Sequence, residues 1–156
     1  MIKFAIATFS VIFVFLLGAS ATYSQTVSGS IGNGTVKRGT TASGTVVLEI
    51  PKELHVNSNK PYSEYLIPTT VEVSGNGVEV GPVAFPEGID KKFQFSENLL
   101  SIYEGTVAFP FEVTIPKNYR GSTVNVTAIV RYQACTDEVC YPPRRKEVTL
   151  TAKVRK

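Results

Sequence analysis

The chain has 156 residues, is 43% hydrophobic and carries a formal charge of +3 at pH 7. That length suits one ordinary domain with a proper core, not several. So small a basic excess excludes a charge-driven nucleic-acid binder, and no nucleic-acid partner is expected.

The sequence opens with Met-Ile-Lys, continues with an apolar run from Phe4 to Leu17, and then reads Gly18-Ala19-Ser20-Ala21. A charged start, an apolar stretch and an Ala-x-Ala site make the pattern of a secretory signal peptide. The run is short for a membrane span, which needs about 20 residues. Cleavage after Ala21 is therefore expected rather than retention as an anchor. No cysteine stands near the site, so no lipid anchor is expected there. Removing residues 1–21 would leave residues 22–156, with Lys3 gone and 15 basic residues against 13 acidic, a formal charge of +2. Export also sets the redox context, because cysteine pairs outside the cytoplasm can oxidise and stay oxidised. The two cysteines, Cys135 and Cys140, are then expected to form one disulfide.

Beyond the leader, Thr22 to about Thr26 reads as a loose N-terminus, and "SGSIGNG" at Ser28 to Gly34 as a turn. That glycine-rich stretch is not a phosphate loop, since no lysine–serine pair and no helix follow it. Strands are expected at Val46 to Ile50, Thr69 to Val73, Thr106 to Ile115, Val124 to Gln133 and Glu147 to Val154, which are rich in Val, Ile, Thr and Phe. Turn residues separate them: Gly32-Asn33-Gly34, Gly75-Asn76-Gly77, Pro86-Glu87-Gly88 and Asn118 to Gly121. Nothing shows sustained helical periodicity with caps. The pattern is that of an all-β sandwich or barrel.

The strand leading to the cysteines has the clearest alternation. Val124, Val126, Ala128, Val130, Tyr132 and Ala134 are expected inward. Asn125, Thr127, Ile129, Arg131, Gln133 and Cys135 are expected mostly outward. On that reading Cys135 is more reachable than a core cysteine. The strand after the loop would turn Val148, Leu150, Ala152 and Val154 inward. The basic cluster of Arg144, Arg145, Lys146, Lys153, Arg155 and Lys156 reads as a solvated strand with a basic tail, with attraction to anionic lipid headgroups as a minor alternative.

A ring as small as Cys135–Cys140 restricts the unfolded chain little, by about 2 kcal/mol against about 4.7 for a 100-residue loop. It cannot link two sheets across a long stretch, as an immunoglobulin disulfide does. It does suit exchange, in which a thiolate attacks a disulfide sulfur and a neighbouring thiol resolves the mixed disulfide. Asp137 and Glu138 would raise the thiol pKa values, and Arg144 and Arg145 could lower them. Spacing alone leaves both uses open, with a structural disulfide ahead because most exported disulfides are structural.

His55 is the only histidine. It has no partners for a hydrolase triad and reads as a hydrogen-bonded structural residue. One histidine and two cysteines fall short of a four-ligand zinc site even with Asp137 added to the set, so neither metal nor cofactor is expected. Asn33-Gly-Thr and Asn125-Val-Thr are glycosylation sequons, informative only in a eukaryotic secretory pathway.

"YQACTDEVCYPP", Tyr132 to Pro143, resembles the redox motif of the N-terminal periplasmic domain of the thiol:disulfide interchange protein DsbD. "HVNSNKP" at His55, "YLIPTTVEV" at Tyr65 and "IYEGTVAFP" at Ile102 fit the same family in the same order. The resemblance covers nearly all of residues 22–156 and implies an immunoglobulin-like antiparallel β-sandwich acting as a protein-disulfide reductase. It implies a periplasmic monomer that passes reducing equivalents from a membrane thiol-transporting protein to periplasmic thioredoxin-like oxidoreductases. It further implies that Cys140 attacks and Cys135 resolves, with Tyr132, Gln133, Tyr141, Pro142 and Pro143 shaping the loop. A cap loop with an aromatic side chain would fall within Lys91 to Asn98, making Phe93 or Phe95 the lid; core packing is an equal alternative for both. Four residues separate the cysteines here, against five in the best-known members, and the family's membrane and thioredoxin-like domains are missing from the sequence. A stand-alone homologue meeting its donor as a separate polypeptide is thus expected. The rival reading is an immunoglobulin-like envelope binding or assembly module with an inert disulfide.

Overall fold

The computed structural model describes residues 24–94 and 96–155; the expected signal peptide lies outside them. Among the described residues there is no helix, and twelve strands follow in order. They are β1 (Thr26–Ile31), β2 (Thr35–Lys37), β3 (Thr41–Glu49), β4 (His55–Asn57), β5 (Thr70–Gly75) and β6 (Glu79–Val80). The second half holds β7 (Ile89–Lys91), β8 (Leu100–Tyr103), β9 (Thr106–Thr114), β10 (Thr123–Tyr132), β11 (Ala134–Cys135) and β12 (Arg144–Arg155). The all-β immunoglobulin-like sandwich expected from the sequence is what forms.

Two four-stranded sheets make the sandwich, β1-β3-β9-β6 and β2-β12-β10-β5. Every pairing in them is antiparallel except β2 with the end of β12, which runs parallel. Alternation decides what they bury. Val46 and Leu48 of β3 and Val107, Phe109, Phe111 and Val113 of β9 face Val124, Val126, Ala128, Val130 and Tyr132 of β10 and Leu150 and Ala152 of β12. Full burial of each such aliphatic side chain contributes about 1.5–3 kcal/mol. Phe109 is wedged edge-on between Phe85 and Tyr103, at centroid distances of 5.4 and 5.9 Å.

The N-terminal expectations need correction. Thr26 opens a strand that pairs along β3 from Glu49 back to Gly44, and Gln25 is buried, so the chain is anchored there. Ser28 to Ile31 belong to β1; only Gly32-Asn33-Gly34 turns, with Gly32 and Gly34 at φ of 50° and 75°. That conformation is open to glycine and costly for most other residues.

A third sheet, β11-β4-β8-β7, closes one end of the sandwich and holds the cysteines. Its inner face presents Val56, Tyr103 and Ala134 to the main core. Its outer face carries His55, Asn57, Cys135, Leu100 and Ile102, as the registers Cys135↔His55 and Asn57↔Ile102 require. This outer face is roofed: Phe93, Leu100 and Ile102 form a second small core with Leu66 packed against it.

Candidate functional site

The inward set of β10 is buried as expected, from Val124 through Tyr132 to Ala134. The chain then leaves β10 at Gln133 and resumes as β11, paired with β4 in the third sheet. Cys135 keeps the parity of Arg131 and Gln133, but the face it shares is covered. Cys135 is only 1% exposed, which corrects the expectation that it is reachable. The physical reason is the change of sheet: outward from β10 means solvent, whereas outward from β11 means the covered face of the third sheet, opposite His55.

The two cysteines are bonded, with Cα atoms 3.9 Å apart. They stand opposite each other in a tight hairpin. The Tyr141 amide donates to the Ala134 carbonyl and the Thr136 amide to the Val139 carbonyl, both at 2.8 Å. Thr136 Oγ1 accepts from the amides of Glu138 and Val139 at 3.2 and 3.1 Å, tightening the turn. This hairpin is closed by backbone hydrogen bonds as well as by the disulfide. Cys140 is exposed on its far strand. Its neighbours Val139 and Tyr141 are 52% and 46% exposed, and Pro142 and Pro143 are exposed too. An open sulfur-bearing residue thus sits in an apolar rim, bonded to a buried one.

The other sequence candidates fall in distinct places. Gln133 Nε2 donates to the Tyr141 carbonyl at 3.1 Å, tying the strand exit to the far side of the hairpin. Tyr132 is wholly buried beneath the loop, and its hydroxyl has no hydrogen-bond partner among the described residues. Burial pushes its pKa above the usual 10.0, against a smaller pull from Arg144. Arg145 is engaged by Glu147 at 2.7 Å. Phe93 is 4% exposed and stacks on His55, with centroids 4.4 Å apart and planes at 26°. Lys91 Nζ lies 5.3 Å from the Phe93 centroid and also meets Glu104 at 2.6 Å. Phe95 lies outside the described residues.

Sequence reasoning missed the setting of His55. It is 2% exposed, directly opposite Cys135, and its Nε2 has no hydrogen-bond partner among the described residues. The hydrogen bond expected of a structural histidine is not made at Nε2 among the described residues. Burial, and then Lys91, hold the imidazole below its usual pKa of 6.5, while Glu104 and Asp137 act the other way. Beside it a cleft of about 390 Å³ is lined by Lys52, Glu53, Lys91, Glu104, Asp137 and Glu138. Among the described residues no group of three or more His, Cys, Asp or Glu side chains converges on a metal position.

The site can be set beside known proteins. The chain is 28% identical over 142 residues to thiol:disulfide interchange protein DsbD of Actinobacillus pleuropneumoniae, covering 88% of this chain and 23% of that protein. It is 26% identical over 147 residues to the DsbD of Pectobacterium atrosepticum, covering 88% and 24%. The chain therefore spans about a quarter of the length of these relatives. The N-terminal periplasmic domain of ScsB from Proteus mirabilis superposes with a TM-score of 0.49 at 11% identity, over 83% of this chain and 46% of that one. The family model described as "Thiol:disulfide interchange protein DsbD, N-terminal" matches residues 24–152, a stretch that contains all three sheets but for the last residues of β12. The chain belongs to the DsbD N-terminal domain family.

Proposed function

We propose that residues 22–156 form an exported, periplasmic thiol–disulfide exchange domain, released by cleavage near Ala21, which works as a monomer through Cys135 and Cys140. The observation that carries this reading is the asymmetry of the pair: Cys140 exposed in an apolar rim, Cys135 at 1%. A disulfide is cleaved by in-line attack on one sulfur, so access selects which sulfur is attacked. A donor thiolate attacks Sγ of Cys140, a mixed disulfide forms there, and the electron pair of the broken bond leaves on Cys135. A second donor thiol then frees Cys140. In the other half-cycle the Cys140 thiolate attacks an acceptor's disulfide. Cys135 then attacks Sγ of Cys140, reforms the ring and releases the acceptor as a thiolate.

Membership of the family supports the choice of donor and acceptor: a membrane thiol-transporting protein on one side and periplasmic thioredoxin-like oxidoreductases on the other. Tyr141, Pro142 and Pro143 give the docking rim, Gln133 holds the hairpin to its strand, and Tyr132 supports it from the core. Phe93 serves as the lid over the Cys135 side. An inert staple is the weaker reading, because the hairpin carries its own backbone bonds and the ring closes so little chain.

The roles are tested by trapping. The domain, as Cys135→Ser or Cys140→Ser, is mixed with a thioredoxin-like partner in its disulfide form and run without reductant. Cys135→Ser keeps the attacking sulfur and should accumulate a mixed disulfide at Cys140; Cys140→Ser should give none. Trapping by Cys140→Ser alone would reverse the roles, and trapping by neither would leave the pair a staple.

A further inference from the structure

We propose that His55 exchanges a proton with Cys135 each time the disulfide opens and closes. This rests on the reading of Cys135 as the resolving cysteine. Three observations carry it. His55 and Cys135 are direct partners across β4 and β11, on one face of the third sheet. Directly opposed residues in an antiparallel pair hold their Cβ atoms about 4.5–5.5 Å apart, within reach of an imidazole and a thiol. His55 is buried, yet its Nε2 has no hydrogen-bond partner among the described residues. A buried polar nitrogen without a partner is costly to keep, and such groups gather where a function uses them. Finally, Phe93 stacks on the imidazole and closes it from above.

The chemistry requires such a group. When a donor thiolate takes Sγ of Cys140, Cys135 leaves as a thiolate in a place with almost no water. An unpaired anion there is strongly disfavoured. Resolution has the opposite need: a buried thiol is inert until its proton is taken. The exchange balances without any other reagent. Cys135–SH and neutral imidazole give thiolate and imidazolium; the thiolate attacks Sγ of Cys140, the partner leaves as a thiolate, and the imidazolium releases its proton to solvent. In reverse, the imidazole takes up a proton from solvent and, as imidazolium, passes it to the departing Cys135. The charged groups around His55 are Lys91 at the end of β7, Glu104 after β8, Asp137 and Glu138 in the hairpin, and Lys52 and Glu53 before β4. Lys91 is held by Glu104, at 2.6 Å. The imidazole is kept neutral by burial first and by Lys91 second, the state a base must start from.

The test separates the two steps. The reduced domain is mixed with excess cystamine, and quenched samples are weighed by mass spectrometry for reduced, mixed-disulfide and ring-closed forms. His55→Gln should leave formation of the mixed disulfide unchanged and slow ring closure by about a hundredfold, the scale of general base catalysis. Closure at the wild-type rate would overturn the role of His55. A wild type that yields neither mixed disulfide nor ring-closed form would instead overturn the exchange reading. A second measurement uses the intact protein and needs no His55 variant. His55 is the only histidine, so its imidazole nitrogens give one unambiguous NMR signal set. In the reduced domain its titration should show two linked steps, collapsing to one in Cys135→Ala. Identical titrations in the two proteins would overturn the proposal.

Discussion

Reduction of the Cys135–Cys140 bond leaves a thiol at Cys135 facing His55, with Phe93 stacked over the imidazole. Removing that lid should change the chemistry in a defined direction. Phe93→Ala would wet the Cys135 side, ease its departure as a thiolate and speed reduction by dithiothreitol several-fold, because a better solvated leaving thiolate leaves faster. It would also lower stability by about 3–5 kcal/mol, as loss of a buried phenyl ring does. Stopped-flow reduction and urea unfolding read the two effects; an unchanged reduction rate would deny Phe93 its lid role. The imidazole makes a second prediction. Its folded pKa lies below the usual 6.5, so between the two values the unfolded chain binds more protons. Stability must then rise with pH across that window and fall as pH drops from the usual value toward the folded one. The urea midpoint should show this slope, and His55→Gln should remove the His55 share of it. At this scale the sequence disclosed the pair and its bonding, since two cysteines in a chain that reads as exported leave little choice. It did not disclose that Cys135 is buried, because its partner across the third sheet is His55, far earlier in the chain, with Phe93 stacked on that ring.

Long strands announce themselves and short ones do not. β10 alternates over ten residues, and its inward set is buried without exception. β4 and β11, the two elements that set the site, have three and two residues. No period can be read in so few, and "HVN" buries all three of its residues because both faces of its sheet are covered. Their pairing is an outcome of the whole fold. The same dependence on partners appears in β3, where Gly44 pairs with Phe111. A Cβ at Gly44 would meet the Phe111 ring at 2.3 Å. The tip of the Phe111 ring fills the space a side chain at Gly44 would take. Gly44→Val should therefore cost about 1–3 kcal/mol by overpacking, despite the better strand propensity of valine. Thermal unfolding would check this, and a stabilised variant would contradict the packing account.

The molecule as a whole is a sandwich with a small third sheet at one end, and the division matches a division of labour. The two large sheets bury nearly all the aliphatic mass and need no covalent link between them. The third sheet uses its inner face to seal the core and its outer face to hold Cys135. Fold class was legible in the sequence because turn residues and β-branched runs recur along the whole chain. The third sheet was not, since it is assembled from four short strands scattered between His55 and Cys135. The central claim is that its disulfide is a reagent, held by a fold that stands without it. The most direct test equilibrates residues 22–156 with thiol buffers of known potential and counts free thiols at Cys135 and Cys140. The account predicts a potential among those of exchange proteins, about −180 to −270 mV. A value below about −300 mV, where structural disulfides resist the glutathione pool, would contradict it.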